Sequence, residues 1–376
     1  MSLREIIVDE IRRRGSIPFS RYMELCLYHP QLGYYFRPGK RFGKAGDFYT
    51  SSDVHAVFGR LLARRFADMW RALGSPARLD LIELGPGRGQ FASDALDWSG
   101  KRFPGFFQAL RYLLVERSPA LRDQLHERFS EHLAVGKVLI YETLDAATPR
   151  LFPHVIIFAN ELFDALPVDI LDHRGAVRVA VQDGGFCEKF VQPSTQELQY
   201  LDRYSLRPRQ GERVEVALAS LSWMDRIAAA FDGRQGFAVF IDYGYTQDQQ
   251  LAGRHLDTLT TYRAHRVSFS PYEAPGEQDI TAHVNFTALR TRARELGLDP
   301  IVLLTQSQFL LAIGEESQFA DAFRDRKLPQ EQAKVALQLN HLISPEGMGE
   351  VFQVLVLSAG VRGEEIARLG GLTLSH

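Results

Sequence analysis

A chain of 376 residues can bury a large apolar core without disulfides or a structural metal, and 45% hydrophobic with 24% charged residues is the balance of a folded protein, not a disordered one. Lys and Arg number 44 against 46 Asp and Glu, a formal charge of -2 at pH 7 that leaves no basic surplus for nucleic acid. Cys26 and Cys187 match no metal spacing or disulfide framework, and no apolar run reaches the roughly 20 residues of a membrane span, so a cytoplasmic protein without metal or membrane insertion is expected.

The first 75 residues read as a mainly helical region packing on the core. Ile6, Ile7 and Ile11 mark an amphipathic helix whose basic run, Arg12 to Arg14, belongs to its solvated face. Glu5, Asp9, Glu10 and Glu24 argue against a transit peptide, and the apolar segment of a signal peptide is missing, which points to a bacterial cytoplasm. A glycine-rich segment around Gly39 to Gly46 runs into Gly46-Asp47-Phe48-Tyr49-Thr50, the composition of a loop that closes over a ligand, and makes Asp47 and Thr50 candidate contacts. Thr50, Ser51 or Ser52 can equally cap the helix that continues through Val57 and Leu61.

Residues 76–376 then alternate apolar runs with helical patterns, the pattern of a parallel sheet covered by helices. RLDLIEL (78–84), RYLLVE (111–116), KVLIYE (137–142), HVIIFAN (154–160), GFAVFIDYG (236–244), PIVLLTQ (300–306) and EVFQVLVLS (350–358) predict seven strands of a Rossmann-like, mostly parallel sheet in an α/β fold. Two insertions interrupt them, at about 168–212 and 246–285. The first carries period-2 segments broken at His173-Arg174-Gly175 and Asp183-Gly184-Gly185, as in antiparallel hairpins. The second is polar, aromatic and weakly periodic, as functional lids often are.

Strand one ends in Glu83-Leu84-Gly85-Pro86-Gly87-Arg88-Gly89, where open α/β sheets bind their cofactors. A dinucleotide fingerprint starting at Gly85 requires glycine at position 90, which is Gln90. GxGxG with an acid two residues before it resembles motif I of class I methyltransferases instead, and makes Glu83, Gly85, Pro86, Gly87 and Gly89 candidate cofactor residues. A tight turn without a ligand has the same pattern. Glu116, closing strand two, is placed to accept hydrogen bonds from ribose hydroxyls, or to cap the next helix. Glu142 after strand three is a candidate for the adenine side. Asn160-Glu161-Leu162-Phe163-Asp164 leaves strand four beside the switch point, where the reacting group is presented; Asn160 can also cap a helix there.

GKAGDFYTSSDVHAVFG (43–59), IELGPGRG (82–89), FANELFDALPVD (158–169), RVEVALASLSWMDRIA (213–228), FIDYGY (240–245) and PGEQDITAHVNFTAL (275–289) resemble, in order, segments of the MidA family, over residues 3 to 358. That family includes the mitochondrial complex I assembly-factor protein arginine methyltransferase. The resemblance implies a class I fold with extra substrate-side elements, S-adenosyl-L-methionine as donor and, in the mitochondrial branch, arginine of a protein as acceptor. It also implies that Gly46 to Thr50 covers the cofactor or forms the acceptor mouth. Asn285 stands where Asp is expected, and Ser52-Asp53 where Pro-Glu is usual.

If the acceptor is arginine, a carboxylate must hold its charged guanidinium, with Glu161 the first candidate and Asp164 the second. His283 is a candidate base or a structural histidine, and Asp242-Tyr243 are acceptor-site or strand-end groups. The partner expected is a protein substrate, with homodimerisation open. A nicotinamide dehydrogenase, a small-molecule methyltransferase and a non-catalytic, cofactor-binding assembly factor stay open as alternatives.

Overall fold

The computed structural model describes residues 1–37, 56–263, 266–268, 270–315, 317–325 and 328–370. The chain divides into two compact units, each assembled from separated stretches. One comprises Met1–Phe48, Leu162–Met224 and Gly244–Arg292, and the other Tyr49–Glu161, Asp225–Tyr243 and Ala293–His376. The N-terminal 75 residues serve both: helices Leu3–Arg14 and Phe19–Tyr28 lie in the first unit, whereas Ala56–Ala72 lies in the second. Among the described residues no helix is long and apolar enough to cross a membrane, and no group of three or more His, Cys, Asp or Glu could hold a metal.

The second unit carries the sheet, with β1 (Leu79–Leu84), β2 (Leu110–Val115), β3 (Val138–Tyr141), β4 (His154–Asn160), β5 (Gln235–Tyr245, of which Gly244 and Tyr245 are assigned to the first unit), β6 (Asp299–Thr305) and β7 (Phe352–Ala359). Their order is β6-β7-β5-β4-β1-β2-β3, and only β7 is antiparallel to its neighbours. These are the seven strands predicted from the apolar runs, shifted by two residues at most; all six residues of β1 are buried, as a strand covered on both faces requires. The order reverses between β1 and β4, so their carboxyl ends flank a crevice.

The two ends of β1 differ in chemistry. At its start Asp80 takes both forks of Arg111, at 2.7 and 2.9 Å, together with the Phe152 N–H at 2.7 Å, which ties β1 to β2. On one face the Phe158 ring of β4 lies 4.5 Å from Phe91 and 5.5 Å from Phe66, centroid to centroid. Each such buried aromatic contributes roughly 1.5–3 kcal/mol. The packing leaves the glycine turn at the other end of β1 on a fixed base.

In the first unit the insertion after β4 forms the antiparallel hairpins its period-2 pattern predicts. Strands Asp169–Asp172, Gly175–Gln182 and Gly185–Val191 pair with Asp172 opposite Gly175 and Gln182 opposite Gly185. Ile17–Pro18 and Arg213–Val216 complete a five-stranded sheet, covered by Ile7, Ile11, Phe19, Tyr22 and Met23 of the N-terminal helices. The stretch 246–285, whose pattern predicted no elements, holds a helix, Gln247–Leu251, and a three-stranded antiparallel sheet of Thr260–Arg263, Arg266–Ser268 and Asp279–Thr281. Strands of three or four residues are too short for a period to register.

Candidate functional site

Backbone pairing builds the turn after β1. The Gly85 N–H donates to the Val115 carbonyl of β2 at 3.0 Å, and the Gly89 N–H closes on the Pro86 carbonyl at 2.8 Å. Gly87 (φ 54) and Gly89 (φ 73) both adopt the left-handed region. Among the described residues a Cβ on Gly87 would meet nothing within 4 Å, so the turn presents bare backbone. Helix Gln90–Arg102 starts directly behind it, its first N–H groups uncapped by any side chain.

Glu116 follows β2 and is 8% exposed. Its Oε1 accepts the Ser118 N–H at 2.7 Å, and the Gly87 N–H also points at the carboxylate. Burial pushes this acid up to about 7 against the pull of those donors. Ser118 Oγ is buried beside it with no hydrogen-bond partner among the described residues. Glu83, 5% exposed, accepts the Tyr112 hydroxyl of β2 at 2.8 Å; burial, with the charge of Glu116 adding, pushes it up to about 8. Two buried acids and a glycine turn thus share one strand end, an arrangement suited to a ligand with a diol to donate.

Leu84 of β1 pairs with Ala159 of β4, which brings Asn160 and Glu161 to the same end of the sheet. No helix follows; Glu161 takes the left-handed conformation (φ 52) with its N–H on the Ile241 carbonyl at 2.9 Å. Asn160 Nδ2 donates to Glu161 Oε1 at 3.0 Å, so a strained backbone and an amide aim one carboxylate. Glu142 lies at the rim, its side chain 64% exposed and 3.6 Å from Arg122, a pair of little energetic weight. Arg122 itself donates to the Glu116 carbonyl at 3.0 Å.

The sheet unit therefore contains Glu83, Gly85, Pro86, Gly87, Gly89, Glu116, Glu142, Asn160 and Glu161. Asp164 and His283 belong to the other unit. Asp164 is buried, and its carbonyl accepts the Ala282 N–H at 3.0 Å. His283 Nδ1 sits 3.1 Å from His255 Nδ1, and burial followed by that neighbour pulls it down to about 4, which makes it a weak base at neutral pH. Asp47 and Thr50, with the rest of Gly46 to Thr50, lie outside the described residues. Asp242 and Tyr243 are the continuing residues of β5, Asp242 fully buried. Sequence reasoning missed Tyr112, on the strand paired with β1, and Arg122, in the helix Pro119–Arg128 that follows Glu116; the pairing of parallel strands could have suggested only the first.

The sequence model of a family of S-adenosyl-L-methionine-dependent methyltransferases, Methyltransf_28, matches residues 61–303. The mitochondrial protein arginine methyltransferase NDUFAF7 homologue of Drosophila melanogaster is 29% identical over 96% of this chain and 85% of its own. Its Homo sapiens counterpart is 26% identical over 93% and 82%. A methyl transferase-type protein from Burkholderia thailandensis, crystallised with S-adenosyl-homocysteine, superposes with a TM-score of 0.80 at 28% identity, covering 97% of this chain and 94% of that one.

Proposed function

The chain belongs to the Methyltransf_28, or MidA, family of class I S-adenosyl-L-methionine-dependent methyltransferases, and from that premise we propose that it methylates arginine side chains of a protein. Its cofactor is S-adenosyl-L-methionine, which supplies an electrophilic methyl on a sulfonium. The residues at the end of β1 fit that group. The Glu116 carboxylate would accept from both ribose hydroxyls, Ser118 Oγ is a buried polar atom in need of a partner, and Gly87 leaves the space a side chain would fill. Glu83 would keep Tyr112 and the strand end in place behind it.

A guanidinium is charged at neutral pH and a poor nucleophile. Glu161 would hold two of its nitrogens and draw positive charge toward them, which leaves the far nitrogen better able to attack, and the proton lost on N-methylation passes to solvent. The observation that carries this reading is the left-handed Glu161, fixed by Ile241 and Asn160 at the strand end beside the glycine turn. The relatives named as protein arginine methyltransferases support the acceptor class, and a respiratory-complex subunit is the partner the family resemblance suggests.

The test is incubation of the purified protein with labelled S-adenosyl-L-methionine and proteome from cells lacking it, with the methyl groups mapped by mass spectrometry. Label on arginine is expected; label only on other residues or on small molecules overturns the acceptor assignment. In Glu161→Gln, turnover should fall about 100-fold, the order of one oriented charged contact in the transition state, with cofactor affinity unchanged. An undiminished rate removes Glu161 from the mechanism.

A further inference from the structure

Helix Pro119–Arg128, which leads away from Glu116, departs from the usual charge order of a helix. His126 and Arg128 stand in its last turn, where the dipole favours cations, but its first turn holds no acid and ends at Arg122, a cation where the dipole opposes one. Such a placement needs a compensating contact. Arg122 Nη1 donates backwards to the Glu116 carbonyl at 3.0 Å and to the Arg117 carbonyl at 2.8 Å, two groups that precede the helix and take no part in its hydrogen-bond ladder. Its Nη2 lies 3.6 Å from the carboxylate of Glu142, the residue after β3.

The helix face that carries Arg122 is the one turned to the glycine turn. Leu125 and Phe129 follow it at spacings of three and seven residues, which puts all three on one side, and a Cβ on Gly89 would meet both Leu125 and Phe129 at 2.6 Å. Arg122 closes that face at its start and fastens the two peptide groups that join β2 to the helix. They are the backbone from which the Glu116 side chain departs and from which the Ser118 N–H reaches it at 2.7 Å. The charged and titratable groups facing Glu116 come from each neighbouring element: Glu83 from β1, Tyr112 bonded to it from β2, Glu142 beyond β3 and Arg122 from the helix. Burial pushes Glu116 up to about 7, and the Ser118 and Gly87 N–H groups and the charge of Arg122 pull the other way.

We propose that Arg122 is a positioning residue for the cofactor: by holding the Glu116 and Arg117 carbonyls it sets the Glu116 carboxylate for the ribose hydroxyls, and it acts through Glu116 alone. A guanidinium suits the task because its planar fork fixes several acceptors in one orientation, whereas an ammonium is a point charge on a flexible stem. The proposal rests on the ribose role of Glu116 and is independent of the acceptor.

The experiment is calorimetry on the full-length protein with S-adenosyl-L-homocysteine and its 2′,3′-dideoxyribose analogue. The wild type should bind the first about tenfold or more tightly than the second. In Arg122→Met that preference should shrink at least threefold, whereas a helix that had only lost stability would weaken both ligands alike. Arg122→Met should weaken S-adenosyl-L-homocysteine about tenfold in the native background and less than about twofold in Glu116→Gln, where the group it positions is already altered. Arg122→Lys should fall between wild type and Arg122→Met. Without the cation Glu116 ionises less readily, so the loss of affinity on acidification should begin at a higher pH in Arg122→Met than in the wild type. A ribose preference unchanged in Arg122→Met, or equal losses in the two backgrounds, overturns the positioning role and leaves Glu116 as it was. A wild type indifferent to the hydroxyls overturns the ribose role of Glu116 and this proposal with it. Where Arg122→Met fails to fold, Arg122→Lys carries the same test, and a wild-type ribose preference in it overturns the proposal.

Discussion

The cofactor end of the sheet and strand Arg213–Val216, where Glu215 is 2% exposed, each hold a buried carboxylate, by different means. Glu116 lies two residues from one of its donors, Ser118, and beside a turn whose backbone is fixed by β1 and β2. Glu215 draws its donor from Thr258, 43 residues away, in a unit built from three separated stretches. A site made by one strand–turn–helix unit is set by local backbone chemistry and tolerates almost no change in it. A contact made by convergence depends on side chains that only the folded chain brings together.

The largest test of that contrast lies within the turn. In Gly89→Ala the new Cβ would approach Leu125 and Phe129 at 2.6 Å, both in the core, on a backbone at φ 73. Left-handed strain of about 1–2 kcal/mol and overpacking of about 1–3 kcal/mol should together lower stability by roughly 2–5 kcal/mol in thermal or denaturant unfolding. Gly87→Ala carries the strain without the clash, because its Cβ points into open space. It should cost only about 1–2 kcal/mol of stability yet weaken S-adenosyl-L-methionine at least tenfold by calorimetry. Equal stability losses in the two variants would erase the distinction between core-facing and ligand-facing glycine.

Glu116→Gln comes next. Replacing a charged acceptor by an amide should weaken the cofactor by about 1.5–3 kcal/mol, roughly 10- to 100-fold. In the native protein the free acid lies near 7, and ribose hydroxyls favour its ionised form, so binding should release protons near neutral pH and weaken as the pH falls below about 7. Calorimetry in buffers of different ionisation enthalpy reads that release, and it should vanish in Glu116→Gln. Glu83 supplies a third, smaller test through stability. Its folded value of about 8 exceeds the ordinary 4.5, so the folded state holds a proton that the unfolded chain has lost between those values. Its contribution is complete below about 4.5 and lost as pH rises through about 8, at up to about 1.4 kcal/mol per unit. Glu83→Gln should therefore narrow the gap between melting temperatures at pH 5 and pH 8; an unchanged gap would mean Glu83 is ionised in the fold.

What could be read in the sequence follows the same line. The seven strands declared themselves because burial on both faces demands unbroken apolar runs, and the glycine turn because only glycine takes that backbone cheaply. Glu161 was identified by its place after β4, but its left-handed backbone was not, since no local signal marks a non-glycine residue there. The Tyr112–Glu83 and His255–His283 contacts join residues 29 and 28 positions apart, and nothing at either position announces the other. His283 looked like a candidate base for want of its neighbour. Glu215 did leave a trace, an acid inside the buried run of strand Arg213–Val216, which is unfavourable unless it has a partner.

The smallest effect concerns Asn285, where the family resemblance led to an expectation of Asp. It is buried, with its Nδ2 donating to the Tyr204 carbonyl at 3.0 Å and its Oδ1 accepting the Ala288 N–H at 3.0 Å, at the start of helix Phe286–Glu295. Asp retains the acceptor that caps the helix but lacks the donor, and sets a carboxylate against the Tyr204 carbonyl. Asn285→Asp should thus lower stability by about 1 kcal/mol, a shift of a few degrees in melting temperature, and leave methyl transfer unchanged. The side chain is committed at both ends to backbone groups, so this difference adjusts the first unit's fit to Tyr204 and leaves acceptor choice alone. A changed acceptor profile in Asn285→Asp, with stability intact, would reverse that assignment and make position 285 part of the substrate side.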